Sequence, residues 1–196
     1  MSRTAGFFLT LFLVTFAACG KPPFELDDIT GVNYGHDFAL TDHNGKPRTL
    51  ADFRGKVVAL YFGYVHCPDY CPTTLADLAQ TARLLGPDAS RFQVLFVTVD
   101  PERDTPAVLS KFVPSFNPSF LGLYGDAAAT ARTAKEFKTV YQKFPMPNND
   151  YTVDHSVGTF IFGPDGQLRL FAQYETQPQA IAHDVILLLH ATGSTN

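Results

Sequence analysis

Val57-Val58-Ala59-Leu60-Tyr61-Phe62, running through Gly63-Tyr64-Val65-His66 into Cys67-Pro68-Asp69-Tyr70-Cys71-Pro72, decides how this chain of 196 residues is built. Six consecutive apolar residues predict a central strand buried on both faces. Two thiols follow where that strand ends. Pro72 suits the first turn of a helix, where its missing N–H costs nothing. Leu75, Leu78, Ala79, Ala82 and Leu85 then recur at helical spacing, and Gly86 supplies a stop. A buried strand that turns through a cysteine loop into an amphipathic helix reads as α/β.

Outward from this core the pattern continues. Phe92 to Val99 predicts a second buried strand ending in Asp100-Pro101, and Thr105-Pro106 opens a helix with a capping residue before an N1 proline. A further helix is expected around Ala127 to Phe137, then an exposed loop, Pro145 to Asp150. Thr159 to Phe162 and Leu168 to Phe171 read as strands joined by Gly163-Pro164-Asp165-Gly166, and Pro178 to Leu189 as a closing helix. Upstream, Asp42-His43-Asn44-Gly45 marks a hairpin between Phe38–Leu40 and Arg48–Leu50. The order predicts a thioredoxin-like fold with an N-terminal β-hairpin extension and a hairpin inserted after the segment around His155. In such a sheet ligands gather beyond the C-terminal ends of the parallel strands, where the cysteine loop falls.

Composition narrows the classes. An apolar fraction of 45% with 18 phenylalanines is enough for a real core. A net charge of −4 without a basic run interleaved with aromatics argues against nucleic acid as a partner. The first residues differ from the rest. Arg3 precedes an apolar stretch from Ala5 to Ala18, short of the ~20 residues a spanning helix needs, so residues 1–18 read as a signal peptide. The stretch ends in Phe16-Ala17-Ala18-Cys19-Gly20, which resembles a bacterial lipobox, with phenylalanine where leucine is usual. Lipidation at Cys19 is expected, then a flexible tether over 19–34 and a globular domain over 35–192.

Cys67 and Cys71 stand one helical turn apart, so near-helical backbone puts both sulfurs on one face. The pair can close a disulfide, work as a redox couple, or bind a soft metal ion. Export favours oxidation unless something keeps the pair reduced. The positive end of the following helix favours the thiolate form. Of six histidines, His155 is the candidate third ligand, because it precedes a strand expected to neighbour the cysteine loop. Asp154 either orients His155 or caps a turn. Asp100 is a candidate for tuning the site, Asp104 reads as a helix-start residue, and Tyr64 and Tyr70 either shield the site or pack ordinarily.

Three ordered segments resemble the Sco/SenC copper-binding proteins: Phe62 to Pro72, then Val99-Asp100-Pro101-Glu102-Arg103-Asp104-Thr105-Pro106, then Val153-Asp154-His155-Ser156 followed by Gly163-Pro164-Asp165-Gly166. The similarity covers roughly Gly35 to Leu189. It implies a thioredoxin-like fold and a copper site, Cu(I) and/or Cu(II), held by Cys67, Cys71 and His155. It further implies a metallochaperone that delivers copper to the binuclear centre of cytochrome c oxidase subunit II, reduces that subunit's cysteines, or both. Implied partners are that subunit, an envelope copper donor and the membrane; the implied place is the bacterial envelope, with the domain facing the periplasm. The alternative is an envelope thiol–disulfide oxidoreductase using the same two cysteines. Gly158, where related reductases place a cis-proline, and the CxxxC spacing lean away from that alternative.

Overall fold

The structure is a computed structural model and describes residues 24–191; the expected signal peptide and Cys19 lie outside these. In chain order the strands are β1 (Asp27–Asp28), β2 (Leu40–Asp42), β3 (Pro47–Arg48), β4 (Val57–Gly63), β5 (Phe92–Thr98), β6 (Leu121–Tyr124), β7 (Tyr141–Met146), β8 (Asp150–His155), β9 (Thr159–Phe162) and β10 (Leu168–Ala172). The helices are α1 (Tyr70–Leu84), α2 (Pro106–Phe116), α3 (Ala127–Glu136) and α4 (Pro178–Ala191).

Eight strands form one sheet in the order β1-β10-β9-β4-β5-β6-β2-β3. β4 lies at its centre, parallel to β5 and antiparallel to β9, and every one of its residues is buried. Helix α1 buries Cys71, Leu75, Leu78, Ala79 and Ala82 and packs on α4. Thr105 caps α2 by accepting from the Val108 amide, and Asp126 caps α3 by accepting from Ala129, each satisfying a free first-turn donor. The expected α/β, thioredoxin-like architecture is present, and β2–β3 is the N-terminal hairpin.

Three features depart from the sequence reading. Residues 24–34 are not a free tether: Glu25 and Leu26 donate their amides to the buried carboxylate of Asp184 on α4, and β1 pairs with β10. A short strand, β6, lies between β5 and β2. At its Gly122 a side chain would press on Leu109 and Val113 of α2. The expected loop at 145–150 is instead the end of a two-stranded ribbon, β7–β8, separate from the main sheet. Asn148 and Asn149, both left-handed with φ of 65° and 57°, make its turn. The hairpin after His155 is part of the main sheet as β9–β10.

Candidate metal centre

The main sheet positions the thiols and the ribbon positions the imidazole. Beyond Gly63 the chain turns, with the Cys67 amide donating to the Tyr64 carbonyl, and enters α1 so that Cys71 lies in its first turn. The Cys71 amide points back at the Cys67 sulfur, 3.4 Å away. Such a free helix-start N–H stabilises negative charge. His155 closes β8 and brings Nε2 to 3.5 Å from the Cys71 sulfur. The two sulfurs and one imidazole nitrogen lie within 4.8 Å of one another. Among the described residues these are the only three His, Cys, Asp or Glu side chains that meet as a metal-holding group.

The protonation pattern suits ligation. His155 Nδ1 sits 2.9 Å from the Ser156 carbonyl oxygen, which can only accept. Nδ1 therefore donates to that carbonyl, and Nε2 is the ring nitrogen that faces the sulfurs. The Tyr61 hydroxyl, fully buried, donates to the Cys71 sulfur at 3.6 Å. Hydrogen bonding from the Cys71 thiol, opposed by burial and helped by His155 and two backbone amides, draws the Cys67 thiol well below the ordinary thiol range. Cys71 moves the opposite way, through the same bond to Cys67 and through its own burial. Both cysteines are free thiols here, so the disulfide anticipated for an exported pair is not formed in this structure.

Sulfur at about 2.3 Å and nitrogen at about 2.0 Å from one ion, spread trigonally, stand roughly 3.7 Å apart. The observed 3.5 Å between the Cys71 sulfur and Nε2 is close to that value. Two thiolates and a neutral imidazole are soft to borderline donors that suit copper and reject magnesium or calcium. A cleft of about 620 Å³ opens over Cys67 and His155, walled by Tyr64, Tyr70 and Tyr174.

The remaining sequence candidates separate. Asp154 is exposed and does not orient His155, whose Nδ1 is occupied by the Ser156 carbonyl. Asp104 is not a helix-start residue: fully buried, it accepts from the Val65 amide and the Thr98 hydroxyl and so braces the cysteine loop. Asp100 is equally buried, and its carboxylate is bound by Arg103 and Tyr151. Tyr64 packs edge-on to the His155 ring and bonds Thr152, whereas Tyr70 is exposed against Tyr174. Sequence reasoning missed Tyr61 and Gly63. A Cβ at Gly63 would lie 2.7 Å from the Cys71 sulfur, so only glycine lets that sulfur sit where it does. The available signal was strand alternation, since Tyr61 and Gly63 share one face of β4.

A family model described as SCO1/SenC matches residues 27–190. The chain belongs to the SCO1/SenC family. It is 44% identical over 147 residues to the mitochondrial SCO2 homolog of Bos taurus, covering 74% of this chain and 54% of that protein. The chain thus spans about half the length of the curated relatives it matches. Bradyrhizobium japonicum ScoI with copper bound is 37% identical with a TM-score of 0.74, covering 79% of this chain and 99% of the other. BsSco, described as having a disulfide switch and as a member of the Sco family of cytochrome c oxidase assembly proteins, shares the fold at 24% identity and a TM-score of 0.65; 84% and 96% of the two chains are covered. The Cys67–Cys71–His155 group of this SCO1/SenC protein fits copper, the metal bound in the Bradyrhizobium structure.

Proposed function

We propose that this SCO1/SenC protein is a copper metallochaperone that delivers its cargo to the binuclear copper centre of cytochrome c oxidase subunit II. The observation that carries the reading is the convergence of the Cys67, Cys71 and His155 ligand atoms beside an open cleft. Cys67 and Cys71 bind as thiolates and His155 through Nε2, a set suited to Cu(I). Cys67 lies at the cleft and Cys71 behind it, so an acceptor thiolate docked there exchanges first with Cys67. An envelope copper donor loads the site by the reverse exchange. Residues 1–18 act as signal peptide, and a lipid on Cys19 tethers the domain, facing the periplasm. Among the described residues no helix is long and apolar enough to cross a membrane.

Anaerobic Cu(I) titration of the reduced protein tests the reading. Wild type should bind one equivalent tightly, Cys67→Ser should lose most of the affinity, and His155→Ala should lose part of it. Equal affinity in all three would end the proposal. The thiol asymmetry favours a second reading, reduction of a partner disulfide in which Cys67 attacks and Cys71 resolves. If His155→Ala keeps full copper affinity and loses thiol activity, this second reading takes precedence.

A further inference from the structure

The imidazole is carried by an element that shares no backbone ladder with the main sheet. The ribbon β7–β8 is its own two-stranded sheet, and His155 is its last residue. Its ends are fixed by the chain and by the Ser156 amide bonded to the Val140 carbonyl. Besides the buried Val153 and the Tyr64–Thr152 hydrogen bond, a charged cluster on the segment following β5 holds its body against the domain. Asp100, fully buried, accepts from the Tyr151 hydroxyl at 2.7 Å and from Arg103, and Lys143 lies 3.7 Å away. Arg103 also donates to the Tyr151 carbonyl at 2.8 Å and to Asp150 at 2.9 Å. The Arg103 guanidinium lies 3.6 Å from the Tyr151 ring centroid, and Lys143 lies 4.5 Å from the same centroid. Tyr151, Lys143 and Asp150 all belong to the ribbon.

The same segment braces the other half of the site. Asp104, one residue past Arg103, holds the Val65 amide two residues before Cys67. One short stretch, Asp100 to Asp104, therefore sets the thiol loop on one side and the imidazole ribbon on the other.

We infer that Arg103, acting with Asp100, is a positioning residue that docks the β7–β8 ribbon and thereby presents His155 Nε2 to the two sulfurs. The inference rests on the metal-site reading proposed above. Arg103 is suited to this because a planar guanidinium can meet a carboxylate, a backbone carbonyl and a ring face at once. A lysine, with one compact ammonium, cannot. Without Arg103 the buried Asp100 carboxylate loses its main counter-charge, and the ribbon face loses its stacked cation.

The test is Arg103→Ala, made in wild type and in His155→Ala, with Cu(I) affinity measured by competition against a chromophoric Cu(I) chelator. Amide exchange of residues 141–155 is read in the metal-free reduced protein. In wild type the substitution should lower affinity by about 10- to 100-fold, the range for residues that orient a ligand. In the His155→Ala background it should change affinity by no more than about twofold, because the group it positions is gone. Ribbon amides should exchange faster while those of β4 and β5 keep their protection. Arg103→Lys should restore little. Tyr151→Phe, which removes one bond to Asp100 and keeps the ring, should shift both readouts in the same direction by less, and it carries the test if Arg103→Ala does not fold. An equal loss in both backgrounds, or unchanged ribbon exchange, overturns the inference. If wild type and His155→Ala bind copper alike, the metal-site reading has failed, and the exchange arm alone then decides whether Arg103 docks the ribbon.

Discussion

At the scale of single residues, two features of the site lead to direct measurements. A methyl group at Gly63 would lie 2.7 Å from the Cys71 sulfur and 2.8 Å from the Phe96 ring, and both neighbours are buried. Gly63→Ala should therefore cost about 1–3 kcal/mol by overpacking, measured by denaturant unfolding, and should weaken Cu(I) binding by displacing the sulfur. Unchanged affinity would mean that the sulfur adapts freely. The second feature is the opposed titration of the thiols, Cys67 drawn down and Cys71 pushed up. Substoichiometric iodoacetamide should mark Cys67 first and should keep doing so below the ordinary thiol pKa of about 8.5. A folded-state pKa below the unfolded one stabilises the fold fully above the unfolded pKa, and this contribution is lost as pH falls through the folded value. The melting-temperature advantage of reduced wild type over Cys67→Ser should thus grow as pH rises toward about 8.5. A gap that shrinks with rising pH would contradict the assignment of the thiolate to Cys67.

At the scale of elements, what the sequence made legible follows the strength of its periodicity. β4 and α1 could be read because the apolar run from Val57 and the 3–4 spacing from Leu75 obey one pattern each, and both elements bury what the pattern says. The ribbon could not. Gln142 through Met146 are all exposed, so β7 carries no alternation, and Pro145 and Pro147 read as loop. Its strands are held by pairing with each other and by side chains far away in sequence, such as Arg103, which local patterns cannot register. For the same reason His155 was legible as a residue, while the element that aims it was not. The N-terminal segment taught a similar lesson. Lys21-Pro22-Pro23 and Asp27-Asp28 look like tether, yet Asp184, 158 residues from Leu26, captures the Leu26 amide at 2.8 Å. Asp184→Ala should release this strap at a cost of roughly 1.5–3 kcal/mol, the range for bonds to a charged acceptor. Limited proteolysis should then cut between Phe24 and Val32. Resistance equal to wild type would show that β1 pairing with β10 holds the segment unaided.

At the scale of the whole molecule, the two chemistries open to the cysteine pair exclude each other, so the copper-site reading predicts that thiol state controls metal loading. A disulfide uses the same two sulfur valences that two thiolate ligands need, so each oxidised molecule is removed from the pool able to bind. Metal that binds only the folded, reduced form must stabilise it by mass action, by about 2.7 kcal/mol when free Cu(I) is 100 times its dissociation constant. The fold is built to feel that gain: Cys71 is fully buried in the first turn of α1, its sulfur packed beneath Gly63 and Tyr61 of the central strand. Tightening the ligand set thus ties α1, β4 and the ribbon to one point. Reduced protein should melt several degrees higher with Cu(I) than without. Protein oxidised with diamide should show no shift, and dithiothreitol followed by removal of excess reductant should restore it. A copper-dependent rise that survives complete oxidation of Cys67 and Cys71 would place the stabilising metal on other groups, and the imidazole of His155 alone is a poor host for Cu(I) among them.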